Sequence, residues 1–411
     1  MKCGLLGRTL GHSYSPQIHQ KLGSYSYSLF EKEPQELEHF LRHGDFKGLN
    51  VTIPYKKEVI PYLDALSPTA KKLGAVNTVL RQPDGKLIGH NTDYFGFQTM
   101  LKASGIPVAG KKVLVCGSGG ASNTAQAVLR EAGAKVVVLS RSGPDNYQNL
   151  SKHWDAALIV NTTPLGMYPN VEEAAIENLD QFPKLEGVLD VIYNPARTKL
   201  LLEAEKRGLP AVNGLLMLVA QAKESAEWFT GAPIDDGCIG TIYQELRRQM
   251  ENIVLIGMPG SGKTTVGKML ARELGREFVD ADAVLEQRAG RPITQIIPLE
   301  GEAVFRAMET EVLQDLGKRS GLVLATGGGC VTRPENYDAL HRNGTIVWLR
   351  RPTALLPTEG RPLSQAGRLE ELYQKRAPLY TAFGDLTAEN GGTPQETVEE
   401  ILSKFKMGGT Q

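Results

Sequence analysis

Lys112-Val-Leu-Val-Cys116-Gly117-Ser-Gly119-Gly120-Ala121 and Asn252-Ile-Val-Leu-Ile256-Gly257-Met-Pro-Gly260-Ser261-Gly262-Lys263-Thr264-Thr265 decide the fold between them. Each is an apolar run that stops at a glycine and passes through a glycine-rich turn into a helical pattern. That order of strand, loop and helix belongs to parallel α/β sheets. In the first stretch the glycines permit a tight turn and let backbone N–H groups approach a pyrophosphate. The second is a full G-x-x-x-x-G-K-T loop, which wraps backbone donors around a nucleoside triphosphate and aims Lys263 at the outer phosphates. One chain thus carries a cradle for a dinucleotide and another for ATP.

Around the first loop, short strand-like runs alternate with helical patterns at Lys112 to Cys116, Lys135 to Leu139, Ala157 to Val160 and Val188 to Ile192. A second series begins at Asn252 and continues through Phe278 to Asp280, Leu322 to Ala325 and Ile346 to Leu349. Two separate α/β units are therefore expected, each a parallel sheet covered by helices. Ile242 to Met250 reads as a helix end with no Gly, Ser or Pro spacer, a short junction. The first hundred residues mix strands and helices less regularly and are expected to form a domain of their own.

The 411 residues, at roughly 150 per domain, leave room for about three domains. Basic and acidic residues balance at 46 each, so nothing favours nucleic acid or an anionic membrane surface. Cys3, Cys116, Cys238 and Cys330 lack C-x-x-C spacing, which argues against a disulfide framework and a thiolate metal site and for a reduced, cytoplasmic protein. No apolar run approaches the roughly 20 residues of a membrane span, and the N-terminus does not read as a signal peptide.

Four polar motifs lie ahead of the dinucleotide loop: His12-Ser13-Tyr-Ser15-Pro16, Asn50-Val-Thr52-Ile-Pro54-Tyr-Lys56, Gly74-Ala-Val-Asn77-Thr78 and Asn91-Thr-Asp93. Singly, each has a plain structural reading: turn hydroxyls at Ser13 and Ser15, a solvated Lys56, a helix cap at Asp93. In this order and spacing, with Asn161-Thr162-Thr-Pro-Leu-Gly166, Asp190-Val-Ile-Tyr193-Asn194-Pro195 and Gly214-Leu-Leu-Met-Leu-Val-Ala-Gln221, the first 245 or so residues resemble shikimate dehydrogenase. The resemblance implies reduction of 3-dehydroshikimate by NADPH. It makes Lys56 the proton donor, partnered by Asp93, and assigns substrate contacts to Ser13, Ser15, Asn50, Thr52, Asn77, Tyr193 and Gln221. It assigns cofactor contacts to Gly117, Gly119, Gly120, Ala121, Asn161, Thr162 and Gly214. Arg141, some 20 residues past the glycine loop, stands where a basic residue accepts the 2′-phosphate of NADP. The stretch from Arg141 to Asn161 is short enough that a usual strand or helix is expected to be trimmed.

Beyond the second loop, Asp280-Ala-Asp282, Phe305-Arg306, Gly327-Gly328-Gly329, Arg361-Pro362-Leu363 and Arg376-Ala-Pro-Leu-Tyr380 form an ordered set that resembles shikimate kinase over residues 252 to about 405. That resemblance implies ATP with Mg²⁺. Gly257, Gly260, Ser261, Gly262, Lys263, Thr264 and Thr265 would cradle the phosphates, with Thr264 and Asp280 toward the metal. Asp282 would be the base, Lys263 and the lid residue Arg361 the transition-state cations. Arg306, Arg376, Gly328 and Gly329 would hold shikimate. The segment from Leu349 to Arg361 is shorter than the family's usual lid and has no clear counterpart of the arginine that stacks on adenine.

The fold expected is therefore α/β throughout. An α/β substrate domain (1–101 and 222–245) and a Rossmann-like NADP domain (102–221) precede a P-loop, NMP-kinase-like parallel-sheet domain (252–411). The function expected is a fused enzyme that makes shikimate and then phosphorylates it, with 3-dehydroshikimate and shikimate as small-molecule partners and neither nucleic acid nor membrane. Two rivals remain: quinate as the dehydrogenase substrate, and a regulator that binds such ligands without turnover. Against the regulator, every reacting residue is present and no DNA-binding module accompanies them.

Overall fold

The computed structural model describes residues 1–11, 13–356 and 366–407. The chain divides into two compact units, one of Met1–Asn194 with Thr198–Glu245, the other of Pro195–Arg197 with Leu246–Gln411.

The first unit holds two sheets. Strands β1 (Lys2–Gly7), β2 (Ser26–Glu31), β3 (Gly48–Val51), β4 (Ala65–Leu66), β5 (Thr78–Arg81) and β6 (Leu87–His90) lie in the order β2-β1-β3-β5-β6-β4. Pairing is parallel except where β5 runs against β3 and β6. This mixed sheet is the less regular pattern of the first hundred residues. Leu6, Leu49, Val51 and Val79 fill a core on one face; on the other, Cys3 and Leu80 meet Phe229, whose ring leaves no room for a side chain at Gly48.

The second sheet is wholly parallel: β7 (Lys112–Cys116), β8 (Lys135–Leu139), β9 (Leu158–Asn161), β10 (Gly187–Asp190) and β11 (Ala211–Val212), in the order β11-β10-β9-β7-β8. Alternate residues of β7 serve opposite cores, Val113 and Val115 on one face and Leu114 and Cys116 on the other. That is why the strand reads as an unbroken apolar run. Between β8 and β9 there is only the 3₁₀ turn Leu150–His153, and β8 is an edge strand.

The second unit has one parallel sheet of β12 (Asn252–Ile256), β13 (Glu277–Asp280), β14 (Leu322–Ala325), β15 (Gly344–Arg350) and β16 (Leu386–Glu389), in the order β13-β14-β12-β15-β16. Its central strand is again buried on both faces, Val254 and Ile256 in one core and Ile253 and Leu255 in the other. The helix Gly237–Met250 ends two residues before β12 starts. No helix of the described residues is long and apolar enough to cross a membrane.

Candidate active sites

In the first unit, polar residues gather where β3 and β6 end and the antiparallel β5 begins. Asp93 opens the helix Asp93–Ala103, where the positive end of the helix dipole favours a carboxylate. Lys56 Nζ donates to Asp93 Oδ2 at 2.6 Å. Asn77 Nδ2 donates to Asp93 Oδ1 and Thr92 Oγ1, both at 3.0 Å, and to Gln221 Oε1 at 3.3 Å. Gln221 comes from the helix Leu215–Thr230, which can pack this closely because a side chain at Gly96 would collide with the Met217 carbonyl. Asn50 is buried, accepts from Tyr27 Oη at 2.7 Å, and neighbours Thr78. Thr52 lies just past β3, packed against Gly7. Ser15 is buried at the start of the helix Ser15–Leu22, and its backbone N–H donates to Ser13 Oγ. Tyr193 meets Tyr14 edge to face, its ring largely buried, which raises its hydroxyl pKa.

The glycine loop leaves β7 with Gly117 at a φ of 108°, where a side chain would also press on Thr162. Gly119 caps the helix Gly120–Glu131 with no side-chain acceptor, so its first N–H groups and those at Ala121 point outward for an anion. A Cβ on Gly120 would stand 3.9 Å from Lys56 Cδ, so the lysine stem passes beside this loop. Asn161 and Thr162 turn their side chains inward: Asn161 donates to the buried Asp190 at 3.1 Å, and Thr162 Oγ1 to the Cys116 carbonyl at 2.6 Å. Burial lifts Asp190 to about 6. Gly214 lies against the Val191 carbonyl too closely for any side chain. Arg141 is exposed just beyond β8.

In the second unit the loop from Gly257 to Thr265 leads from β12 into the helix Lys263–Leu274, with Gly257, Gly260 and Gly262 at positive φ. Lys263 is buried and donates to the Gly257 and Met258 carbonyls at 2.8 and 3.0 Å. Ser261 is fully buried. Thr264 and Thr265 are exposed, and Thr264 Oγ1 donates to Asp280 Oδ2 at 3.0 Å, while Asp280 Oδ1 caps the next helix through the Asp282 N–H.

The triple glycine has a distinct neighbour behind each residue. A side chain at Gly327 would collide with Asp282 and Glu309, one at Gly328 with Pro259, and one at Gly329 with the Arg306 guanidinium. Arg376 Nη1 and Tyr380 Oη both donate to the Gly328 carbonyl, at 3.1 and 2.5 Å. Two arginines, Arg306 and Arg376, thus flank one glycine wall. Burial first, then the charges of Glu309 and Asp280, push Asp282 up to about 6. Glu309 is a site residue that motif reading passed over: 2% exposed, it binds Arg306 Nη1 at 2.7 Å. Its signal was only an acid three positions after Arg306 on one helix. Arg361, with Pro362 and Leu363, lies outside the described residues.

Two family models match the chain, one for the shikimate dehydrogenase substrate binding domain over residues 5–79 and one for shikimate kinase over residues 259–406. A shikimate dehydrogenase (NADP(+)) of Clostridium perfringens is 36% identical over 266 residues, spanning 59% of this chain and 97% of that protein. The crystal structure of a chorismate mutase/shikimate 5-dehydrogenase fusion protein from Clostridium acetobutylicum matches with a TM-score of 0.57 at 35% identity, covering 60% of this chain and 96% of that one. Shikimate 5-dehydrogenase from Thermus thermophilus, solved in complex with NADP(H) and shikimate, matches with a TM-score of 0.53 at 33% identity, over 60% of this chain and 99% of that one.

Proposed function

We propose a division of chemical labour for a chain that belongs to the shikimate dehydrogenase family and carries a shikimate kinase domain behind it. The enzyme is bifunctional: it reduces 3-dehydroshikimate to shikimate with NADPH and phosphorylates shikimate to shikimate 3-phosphate with ATP. The first reaction creates the C3 hydroxyl that the second esterifies. We assign residues 1–101 and 222–245 to dehydrogenase substrate binding, 102–221 to NADP and 252–411 to the kinase.

In the dehydrogenase, Lys56 delivers a proton to the ketone oxygen as hydride reaches the carbon, and its ammonium meets the developing alkoxide charge. Asp93 holds that ammonium and accepts from a ring hydroxyl. Asn50, Thr52, Asn77 and Gln221 bind the remaining hydroxyls, while Ser13, Ser15 and Tyr193 take the carboxylate. Gly117, Gly119, Gly120 and Ala121 offer backbone donors to the pyrophosphate, with Asn161, Thr162 and Gly214 shaping the backbone of the same site. Arg141 pairs with the 2′-phosphate. The observation that carries this reading is the position of Lys56, bonded to Asp93 at one end and beside Gly120 with its stem.

In the kinase, Asp282 accepts the proton of the shikimate C3 hydroxyl as its oxygen forms a bond to the γ-phosphorus, and the bond to the β-phosphate oxygen breaks. Lys263 and Arg361 stabilise the charge that moves. Gly257, Gly260, Ser261, Gly262, Thr264 and Thr265 hold the phosphates; Arg306, Arg376, Gly328 and Gly329 hold the substrate carboxylate and ring. Mg²⁺ fits the donors present, because Thr264 Oγ1 and Asp280 Oδ2 are hard oxygen ligands brought together beside the loop. It would be held by Thr264 and Asp280 and would neutralise phosphate charge. The cytoplasm is the compartment we assign, consistent with four free thiols.

Separate assays with shikimate and quinate as substrates for NADP⁺ reduction test the dehydrogenase reading. Shikimate should exceed quinate in kcat/KM; a faster reaction with quinate would replace the substrate we assign.

A further inference from the structure

Strand order places the two ends of the kinase's nucleotide. The acceptor groups Asp280, Asp282 and Gly327–Gly329 follow β13 and β14, on one flank of the loop that leaves the central strand β12. Arg351 and Asn390 follow β15 and β16, on the opposite flank. In open parallel sheets ligands lie across the carboxyl ends of the strands. A triphosphate whose outer phosphate faces Asp282 therefore turns its inner phosphate toward Arg351 and Asn390.

Three details mark Arg351. It is half-buried, with its Nη1 3.8 Å from where a Cβ would stand on Gly262, the residue that caps the phosphate-loop helix. Its Nε is buried and has no hydrogen-bond partner among the described residues. Its neighbour Arg350 is by contrast paired with Glu389, at 2.9 Å. Asn390 is fixed beside it, donating to the Ser261 carbonyl at 2.6 Å and accepting from Thr397 Oγ1 at 2.9 Å. A buried guanidinium nitrogen without a partner is costly unless an anion completes it.

We propose that Arg351 binds the α-phosphate of the nucleoside triphosphate, a second cation facing Lys263 across the loop. The inference rests on the kinase reading and adds a nucleotide-binding residue to it. The contact reads charge and not the base, so ATP and GTP should depend on it alike.

The test uses the full-length protein with Arg351→Ala, Arg351→Lys and, should alanine lower thermal stability, Arg351→Gln. Nucleotide dissociation constants are measured by calorimetry, and kinase KM and kcat in parallel. Arg351→Ala should weaken ATP and GTP by the same factor, about ten- to a hundredfold as expected for a charge-assisted pair. KM for ATP should rise with it, kcat should change far less, and Arg351→Lys should recover part of the loss. Unchanged ATP affinity in Arg351→Ala would overturn the proposal, as would a loss confined to one base. Failure of the kinase reading itself would show differently, as wild-type protein that binds ATP but forms no ADP when shikimate is added.

Discussion

Lys56 and Asp93, 37 positions apart in the chain, meet at 2.6 Å, and Asp93 gives its second oxygen to Asn77 at 3.0 Å. The ammonium is thereby fixed in direction before any substrate arrives. Lys56→Ala removes the proton donor and should lower dehydrogenase turnover by roughly 10² to 10⁴, with kinase activity near normal. Lys263→Ala should do the reverse. Both activities of each variant are measured with its thermal unfolding; loss of both reactions in a folded protein would contradict independent sites.

Arg141 stands exposed beyond the edge strand β8, free to meet a ligand phosphate. Arg141→Ala should cost about ten- to a hundredfold in kcat/KM for NADPH and little for NADH, since NADH lacks the group that is paired. Equal losses with both would make the arginine structural.

The pH profile of the kinase follows from Asp282. A base must be ionised to accept a proton, and this carboxyl is pushed up to about 6 by burial and by Glu309 and Asp280. Kinase kcat/KM should therefore fall as pH drops through about 6. Because the folded-state value lies above the ordinary one, ionisation of Asp282 costs stability above pH 6, and that cost vanishes toward pH 4. Asp282→Asn should abolish turnover yet raise the kinase melting temperature at pH 8 more than at pH 4.5. An acid limb that stays put in a Glu309→Gln variant would argue against this coupling.

Gly329 is glycine because Arg306 occupies the space a side chain would need. The guanidinium is the far end of a flexible side chain, so it can move aside. Gly329→Ala should thus fold with little change in melting temperature but raise KM for shikimate about tenfold, leaving KM for ATP alone. A large fall in melting temperature with unchanged KM would show that the glycine serves only the turn.

Both phosphate loops were legible because β7 and β12 are buried on both faces, which turns a strand into a continuous apolar run ended by glycine. Boundaries slipped where burial outlasts the ladder: Ile192 is buried but lies beyond β10. Lys56 and Asp93 could be paired only through family resemblance, since no local pattern joins residues brought together by a mixed sheet. Glu309 was hidden because an acid on a helix ordinarily faces water, and only folding buries it against Arg306. Arg351 was hidden by its neighbour: two adjacent arginines look alike until Arg350 is found paired with Glu389.

One polypeptide carries out consecutive reactions on one hydroxyl. The most direct measurement supplies the full-length protein with 3-dehydroshikimate, NADPH, ATP and Mg²⁺, and follows NADPH oxidation alongside product analysis. Shikimate 3-phosphate should form with one NADPH and one ATP consumed per molecule, and omission of ATP should stop the product at shikimate. NADPH oxidation that ends in accumulated shikimate despite ATP, or no NADPH oxidation at all, would contradict consecutive catalysis by this chain.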